Sequence, residues 1–393
     1  MNDSDKFMIR RAVLELAKTG IPRSASMDDN IRKTRDINLR AINLWDYVTL
    51  IGAQLSRPAY DPYRETINLD ISIGIGKSRK IVLNIPLIIY GSIDMDSYSL
   101  DSLHLALNRL AEQGQVVGII LEGEINTKKD KRKYPLFKKI SSISENHPGD
   151  LLGECNEFCA DGLVFEYKDD SSVDIIRDLR EQFDGPILVD VSNVFPSSFN
   201  SILDLKTDGI LVDTEKITKS SRYNGKHAIK VICDARNALN SYYKSKDESS
   251  DNAILVIAGD VNSTGKIAKV AALGADIIGY STSILIANSY IYSEKPYDVI
   301  SIAESVYRHM IGTKEELRGI PAALGYSDFH NISPSDLRTS SIDASLQGNI
   351  PLEGIDKTYL DTIGELIDEF LSNKELNMTY SEVRDVLKSI GGE

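Results

Sequence analysis

The chain has 393 residues, of which 42% are hydrophobic and 26% charged, and its formal net charge is −13. These values are ordinary for a globular protein large enough for one extended barrel or two domains. The negative charge opposes binding to phosphate backbones, so we expect no nucleic-acid partner. The sequence has no apolar run of 18 residues, and residues 1–20 lack the apolar core of a cleaved signal. We expect no membrane span and a cytoplasmic location.

The N-terminal extension, residues 1–85, is predicted to contain helices followed by a β-hairpin. Residues 1–55 are polar with helical spacing, and residues 67–85 hold two alternating runs around a Gly-Lys-Ser turn. The GIGKS sequence is shorter than a phosphate-binding P-loop, so we interpret it as the hairpin turn. We expect this hairpin to pack against one end of the domain that follows.

Residues 86–292 alternate between short apolar runs and helical patterns. Runs that are apolar on both faces predict a parallel sheet. Seven runs are clear and one is weaker (137–143), at residues 87–90, 116–121, 137–143, 163–166, 187–191, 210–213, 254–258 and 277–280. Because eight strands close a barrel, we predict an α/β fold, a TIM (β/α)8 barrel. An open doubly wound sheet is the rival arrangement.

The C-terminal extension, residues 293–393, is predicted to be helical. A long helical pattern covers residues 297–324, and amphipathic patterns follow at residues 357–372 and 380–390. They form either a helical cap or a surface for self-association.

Cysteine and histidine do not indicate a metal site. Cys155 and Cys159 lie four residues apart on a predicted helix, but two thiols without further ligands do not hold a metal. The five histidines show no ligand spacing. We expect neither zinc nor an iron–sulfur cluster.

Two turns follow the last two predicted strands, within GDVNSTGKIAKVAALGADIIGYSTSILIA (residues 259–287). Barrels commonly bind a phosphate there, because N–H groups at a helix start are unpaired and partly positive. The alternative is that the hydroxyl side chains only cap helices. The candidate phosphate-binding residues are Gly259, Asn262, Ser263, Thr264, Gly279, Ser281 and Thr282.

Three segments occur in the order found in a known family: WDYVTLIGAQLSRPAYDPYRE (45–65), the stretch 259–287, and TKEELRGIPAALGYSDFHNISPSDLR (313–338). Over most of residues 40–355 the chain resembles the FMN-binding barrel domain of glutamate synthase, in particular the short archaeal-type form. The resemblance implies FMN at the carboxyl ends of the strands, an iron–sulfur cluster, and reduction of an imine to glutamate. It also implies a small molecule at the barrel mouth, with other glutamate synthase subunits or a second copy of the chain as partners.

The resemblance assigns site residues one by one. Gly91 and Ser92, after the first strand, correspond to the family's flavin-contacting run. The two turns described above correspond to its phosphate loops. Glu122, Glu124 and Asp190, at the ends of the second and fifth strands, are the candidate catalytic residues.

The chain departs from the family at several of these positions. Asp190 replaces a lysine beside the flavin, where a carboxylate at ~4 Å would add about 4 kcal/mol of repulsion at an effective dielectric of about 20. Asp260 and Asn262 replace a glycine and an arginine in the phosphate loop, and no cysteine follows the eighth strand. These losses predict a degenerate barrel without glutamate-forming activity, which serves as a scaffold, a regulatory partner or a small-molecule binder.

Two alternatives remain open. The chain is an active FMN-dependent oxidoreductase that reduces an imine to an amino acid, or its acidic mouth binds a divalent metal and uses that metal for chemistry. Oxygen ligands suit Mg²⁺ and Mn²⁺. The carboxylates available for this are Asp94, Asp96, Glu122, Glu124, Asp190, Asp213 and Asp260.

Overall fold

The structure is a computed structural model that describes most of the chain. The described residues are 13–21, 44–74, 80–90, 97–122, 132–141, 159–169, 171–196, 199–205, 207–220, 223, 226–246, 253–259, 261–281, 283–284, 287, 298–355 and 357–372.

Eight parallel strands close into a barrel, as the sequence predicts. The strands in chain order are β1 (Val48–Leu50), β2 (Ile71–Ile73), β3 (Ile81–Leu83), β4 (Leu87–Ile89), β5 (Gly118–Glu122), β6 (Leu136–Ile140), β7 (Gly162–Glu166), β8 (Ile187–Asp190), β9 (Gly209–Asp213), β10 (Ile254–Ala258), β11 (Ile277–Gly279) and β12 (Leu337–Thr339). Strands β4 to β11 form the barrel, which closes where Gly279 of β11 aligns with Ile88 of β4. This closure excludes the open sheet and confirms β6, the weaker candidate.

Helices surround the barrel. They are α1 (Ser97–Glu112), α2 (Ser171–Gln182), α3 (Phe199–Leu203), α4 (Thr214–Thr218), α5 (Ala228–Ser245), α6 (Thr264–Ala272), α7 (Val299–Leu324), α8 (Ile342–Gly348) and α9 (Tyr359–Ser372). Residues 13–19 are also helical. Among the described helices, none combines the length and apolarity needed to cross a membrane.

Local sequence explains where these helices begin and end. Asp298 accepts from Ile300 N at the start of α7, and Gly325 ends that helix with a left-handed φ of 83°.

Cys159 lies in a turn with φ 49°, so the helix predicted through it is wrong at that residue. Cys155 and residues 380–390 lie outside the described part of the chain.

The hairpin β2–β3 closes one end of the barrel. The two strands pair antiparallel, and their buried side chains join the cluster that fills the barrel interior. Asn84, directly after β3, accepts from Val116 N just before β5. The hairpin therefore seals the end at which the barrel strands begin, which confirms the expected packing and leaves the carboxyl ends of the strands as the mouth.

The segments before and after the barrel join each other. Strand β1 pairs antiparallel with β12, with Val48 opposite Thr339. Nη2 of Arg57 lies 2.8 Å from Oδ1 of Asp336, whose side chain is only 2% exposed. Residues 45–65 and 313–338, the first and last segments of the family resemblance, are therefore in contact in the folded protein.

Candidate functional site

The inward-facing residues at the carboxyl ends of the barrel strands form a layer that we call the mouth layer. Each lies two residues after a strand residue of the interior cluster, and alternation along a strand puts both on the same face. The layer contains four carboxylates, one lysine, one tyrosine and two small residues: Tyr90, Glu122, Lys139, Glu166, Asp190, Asp213, Ala258 and Gly279. Two of the candidate catalytic residues, Glu122 and Asp190, therefore belong to one layer.

Asp190 is fully buried and is held by three other residues. Its Oδ2 accepts from Lys139 Nζ at 3.0 Å and from the Tyr90 hydroxyl at 3.4 Å. Its Oδ1 accepts from the backbone N of Ser192 at 3.1 Å, and the Ser192 hydroxyl also donates to it. Lys139 Nζ additionally donates to the Tyr90 hydroxyl at 3.2 Å. The result is a buried polar cluster that joins β4, β6 and β8.

Lys139 is the residue of the candidate site that the sequence did not identify. It lies in the run FKKI, where two lysines weaken the apolar pattern of β6. The signal was its spacing: Lys139 is two residues after Phe137, which is fully buried inside the barrel. A lysine with the same alternation as an interior phenylalanine must face inwards, so it needs an acidic partner.

The pKa values of this cluster follow from burial and from the surrounding carboxylates. Burial alone would lower the pKa of Lys139, but the charge and hydrogen bond of Asp190, with Glu166 and Glu122, raise it. Burial, followed by the charge of Asp190, raises the pKa of Tyr90. At neutral pH Lys139 is therefore a fixed cation and not a nucleophilic amine, and Tyr90 is a neutral phenol. The carboxylate of Asp190 is offset by Lys139, which reduces the repulsion expected from Asp190 alone.

The carboxylates of β7 and β9 are also engaged. Asp213 caps α4, since its Oδ1 accepts from Glu215 N at 3.0 Å and from Lys216 N at 3.2 Å. Burial raises the pKa of Asp213, and the charge of Asp190 adds to that rise. Glu166 accepts from Asn193 Nδ2 at 2.9 Å. Glu122, by contrast, is exposed.

The predicted phosphate loops use their polar groups within the protein. Ser263 accepts from Lys266 N at 3.3 Å and caps α6, which is the capping alternative. The Thr264 hydroxyl donates to Glu316 Oε2 at 2.8 Å. Asn262 is buried, and its carbonyl accepts from the Ser283 hydroxyl at 2.9 Å.

The backbone conformation and the close packing of these loops explain why both contain glycine. Gly259 has φ 128°, and a Cβ there would lie 2.3 Å from the Thr214 hydroxyl. A Cβ at Gly279 would lie 2.7 Å from the Cβ of Ala258, so glycine lets β10 and β11 pack closely. Ser281 follows β11 and is partly buried. The remaining predicted site residues lie outside the described part of the chain: Gly91, Ser92, Asp94, Asp96, Glu124, Asp260 and Thr282.

These groups do not fit the phosphate of FMN. The Glu316 carboxylate accepts a hydrogen bond from Thr264 in the loop where a phosphate would lie. A phosphate bound there would be close to this carboxylate, and the two anions would repel each other. Ser263 Oγ accepts from Lys266 N, so that backbone donor is not available to a phosphate, and the described loop has no arginine to form a bidentate contact. Within the described ranges, no group of three or more His, Cys, Asp or Glu side chains is arranged to hold a metal ion.

Comparison with known proteins places the fold but not the activity. No protein-family model matches the chain, and no curated protein matches it. A mutant flavocytochrome b2 with benzoylformate superimposes with a TM-score of 0.56 at 11% identity, covering 82% of each chain. (S)-Mandelate dehydrogenase gives 0.54 at 14% identity, covering 84% of this chain and 99% of that one. A mandelate oxidase mutant with a monooxide FMN adduct gives 0.52 at 14% identity, covering 72% and 85%.

The chain has the TIM-barrel fold of these oxidoreductases. Identities of 11–14% show a shared fold and nothing finer. The three solved structures are not glutamate synthases, so the comparisons do not support the glutamate synthase part of the resemblance.

Proposed function

We propose that this protein is a barrel of the flavin-oxidoreductase type that no longer uses FMN and instead binds a small polar molecule at its mouth. The main observation is the buried pair of Asp190 and Lys139, with 3.0 Å between Oδ2 and Nζ. In the family that the sequence resembles, a lysine on the fifth strand faces the flavin ring. Here Asp190 has that place, and the lysine comes from the third strand and is bound to it.

The charge of the mouth layer indicates the class of ligand. Lys139 offsets Asp190, and Lys216 Nζ lies 3.7 Å from Glu166 Oε1, so four carboxylates face two lysines and the mouth stays acidic, mainly through Glu122 and Asp213. A dianionic phosphate ester is disfavoured there, and a cationic or neutral polar molecule is favoured. Because Lys139 stays protonated, we expect it to donate hydrogen bonds to the ligand and not to form a Schiff base with it.

The visible spectrum of the purified protein, followed by an FMN titration, tests this proposal. We expect a colourless protein, no quenching of FMN fluorescence and no change in Tm with FMN. A small panel of amines and uncharged polyols should raise the Tm, and Glu122→Gln and Glu166→Gln should weaken the effect of the amines. A yellow protein with stoichiometric flavin would overturn the proposal.

The second candidate function is an FMN-dependent oxidoreductase. Its support is the barrel shared with the mandelate oxidase mutant that holds an FMN adduct, together with Lys139 as a cation in the mouth layer. This candidate predicts that FMN copurifies and that the oxidised flavin is bleached by a 2-hydroxy acid such as mandelate. It also predicts that chemically reduced flavin is reoxidised by an imine formed from a 2-oxo acid, which accepts the hydride. The same flavin titration separates the two functions, because only the oxidoreductase retains the cofactor.

A further inference from the structure

A cavity of about 190 Å³ lies outside the barrel wall. Its walls come from α4, the start of α5, the start of α6 and the segment around Trp45. Ile257, which faces away from the barrel interior, forms part of its floor. The cavity is therefore separate from the mouth layer, and its contents do not depend on the function proposed for the mouth.

The lining of this cavity is apolar on one side and cationic on the other. Ile232, Val261 and Val270 supply apolar surface, and Lys226 and Lys266 supply positive charge. Lys226 is exposed and forms no ion pair with the part of the chain that the structure describes. Among the described lining residues, two lysines stand against one acid, Glu215, whose Oε1 lies 2.7 Å from Lys219 Nζ, so the lining carries a net positive charge.

Trp45 and His227 form an aromatic wall. The two rings meet edge to face with centroids 5.6 Å apart, and Lys266 Nζ lies 5.8 Å from the centre of the indole. Trp45 is only 6% exposed, so the surrounding residues hold its indole ring in place. Burial, followed by the charge of Lys266, lowers the pKa of His227 to about 4, so His227 is neutral at pH 7.

We propose that this cavity binds a small organic monocarboxylate with a compact apolar body. The apolar wall and the indole would cover the body of the ligand, and the two lysines would meet its carboxylate. Its volume of about 190 Å³ is below the roughly 300–1,000 Å³ of typical ligand pockets, which favours a small ligand over a nucleotide or a flavin.

The composition of the chain supplies a specific reporter, because Trp45 is its only tryptophan. Cyclohexanecarboxylate does not absorb where indole is excited, so it can be titrated while Trp45 emission is recorded. We expect a saturable change in emission, with no such change for the uncharged analogue cyclohexanecarboxamide. Lys226→Gln and Lys266→Gln should each raise the Kd by at least roughly tenfold, since each removes a charge-assisted contact.

Lys244→Gln is the matched control. It makes the same charge change on α5, 16 residues beyond the first residue of that helix, or about 24 Å away by helical rise. Its Kd should equal that of the unmodified protein, and thermal melting of each variant confirms folding. The proposal is overturned if the carboxylate gives no saturable change, if the carboxamide binds equally well, or if Lys226→Gln and Lys266→Gln bind as Lys244→Gln does.

Discussion

Nζ of Lys139 lies 3.0 Å from Oδ2 of Asp190, and the two side chains are 8% and 0% exposed. A charge pair so deeply buried offsets a large desolvation cost only while both partners are present. The pair also fixes the positions of two barrel strands, β6 and β8, that are not neighbours in the sheet. It is therefore a structural tie as well as the centre of the candidate site.

Removal of one member of this pair should destabilise the protein strongly. Lys139→Met and Asp190→Asn should each lower the free energy of unfolding by about 3 kcal/mol, because each leaves a buried charge without its partner. The double variant should cost clearly less than the sum of the two. Urea unfolding measures all three.

An exposed pair provides the control for that experiment. Lys133 Nζ and Glu112 Oε1 are 2.8 Å apart, but their side chains are 59% and 53% exposed. Lys133→Met should cost less than about 1 kcal/mol. Equal losses for Lys133→Met and Lys139→Met would contradict the view that burial makes the inner pair strong.

Gly259 should not tolerate alanine. The substitution places a Cβ 2.3 Å from the Thr214 hydroxyl at a φ of 128°, so we expect a loss of about 2 kcal/mol or more. Gly319 lies inside α7 with no atom within 4 Å of a built Cβ. Gly319→Ala should instead stabilise the protein by about 0.5–1 kcal/mol through helix propensity. Thermal melting distinguishes the two, and a neutral Gly259→Ala would contradict the strained conformation.

Ser263 is predicted to act as a helix cap and not as a phosphate ligand. Ser263→Ala should cost about 1 kcal/mol, whereas Ser263→Asp should retain most of the stability because aspartate also caps helices. Neither variant should change the response of the Tm to added phosphate. If Ser263→Asp abolished a phosphate-dependent rise in Tm, the loop would be an anion site after all.

His309 should make the protein less stable in acid. It is 2% exposed, it contacts the Tyr280 hydroxyl at 2.9 Å, and burial lowers its pKa from 6.5 to about 3. Between about pH 6 and pH 3 the unfolded chain therefore binds a proton that the folded chain does not. The free energy of unfolding should fall by about 1.4 kcal/mol per pH unit from this residue as the pH decreases.

His309→Gln should remove that share of the slope, whatever it does to stability at neutral pH. Urea unfolding at a series of pH values between 6 and 4 measures the slope, and the exposed change His330→Gln is the control. If the slope of unfolding free energy against pH were the same in His309→Gln, the pKa of His309 would not be lowered in the folded protein.

The fold was predictable because apolar runs report burial on both faces of a strand. Leu188, Leu211 and Val256 lie in such runs, and each is inside the barrel. The closing strands were equally clear. Strand β6 was the weak case, because Lys138 and Lys139 interrupt its apolar pattern, although both are buried.

The chemistry of the mouth was only partly predictable. The sequence marked Asp190 and Glu122 as strand-end acids, but it did not indicate that Lys139, 51 residues before Asp190, would neutralise it. That contact depends on which residues of separate strands reach the same layer, and the stagger of the barrel sets this. The uses of Ser263 and Thr264 likewise depend on neighbours, such as Glu316, that lie far away in the chain.

The pairing of β1 with β12 has a consequence for any attempt to trim the protein. A fragment that stops after α7 would lack Leu337–Thr339 and would leave Val48–Leu50 with a row of open backbone donors and acceptors. Unpaired backbone groups are where strands of other molecules add, so we expect the fragment to self-associate more than the full chain does. The flanks on either side of the barrel hold each other through this pairing, so a shortened version of the protein would have to keep both β1 and β12.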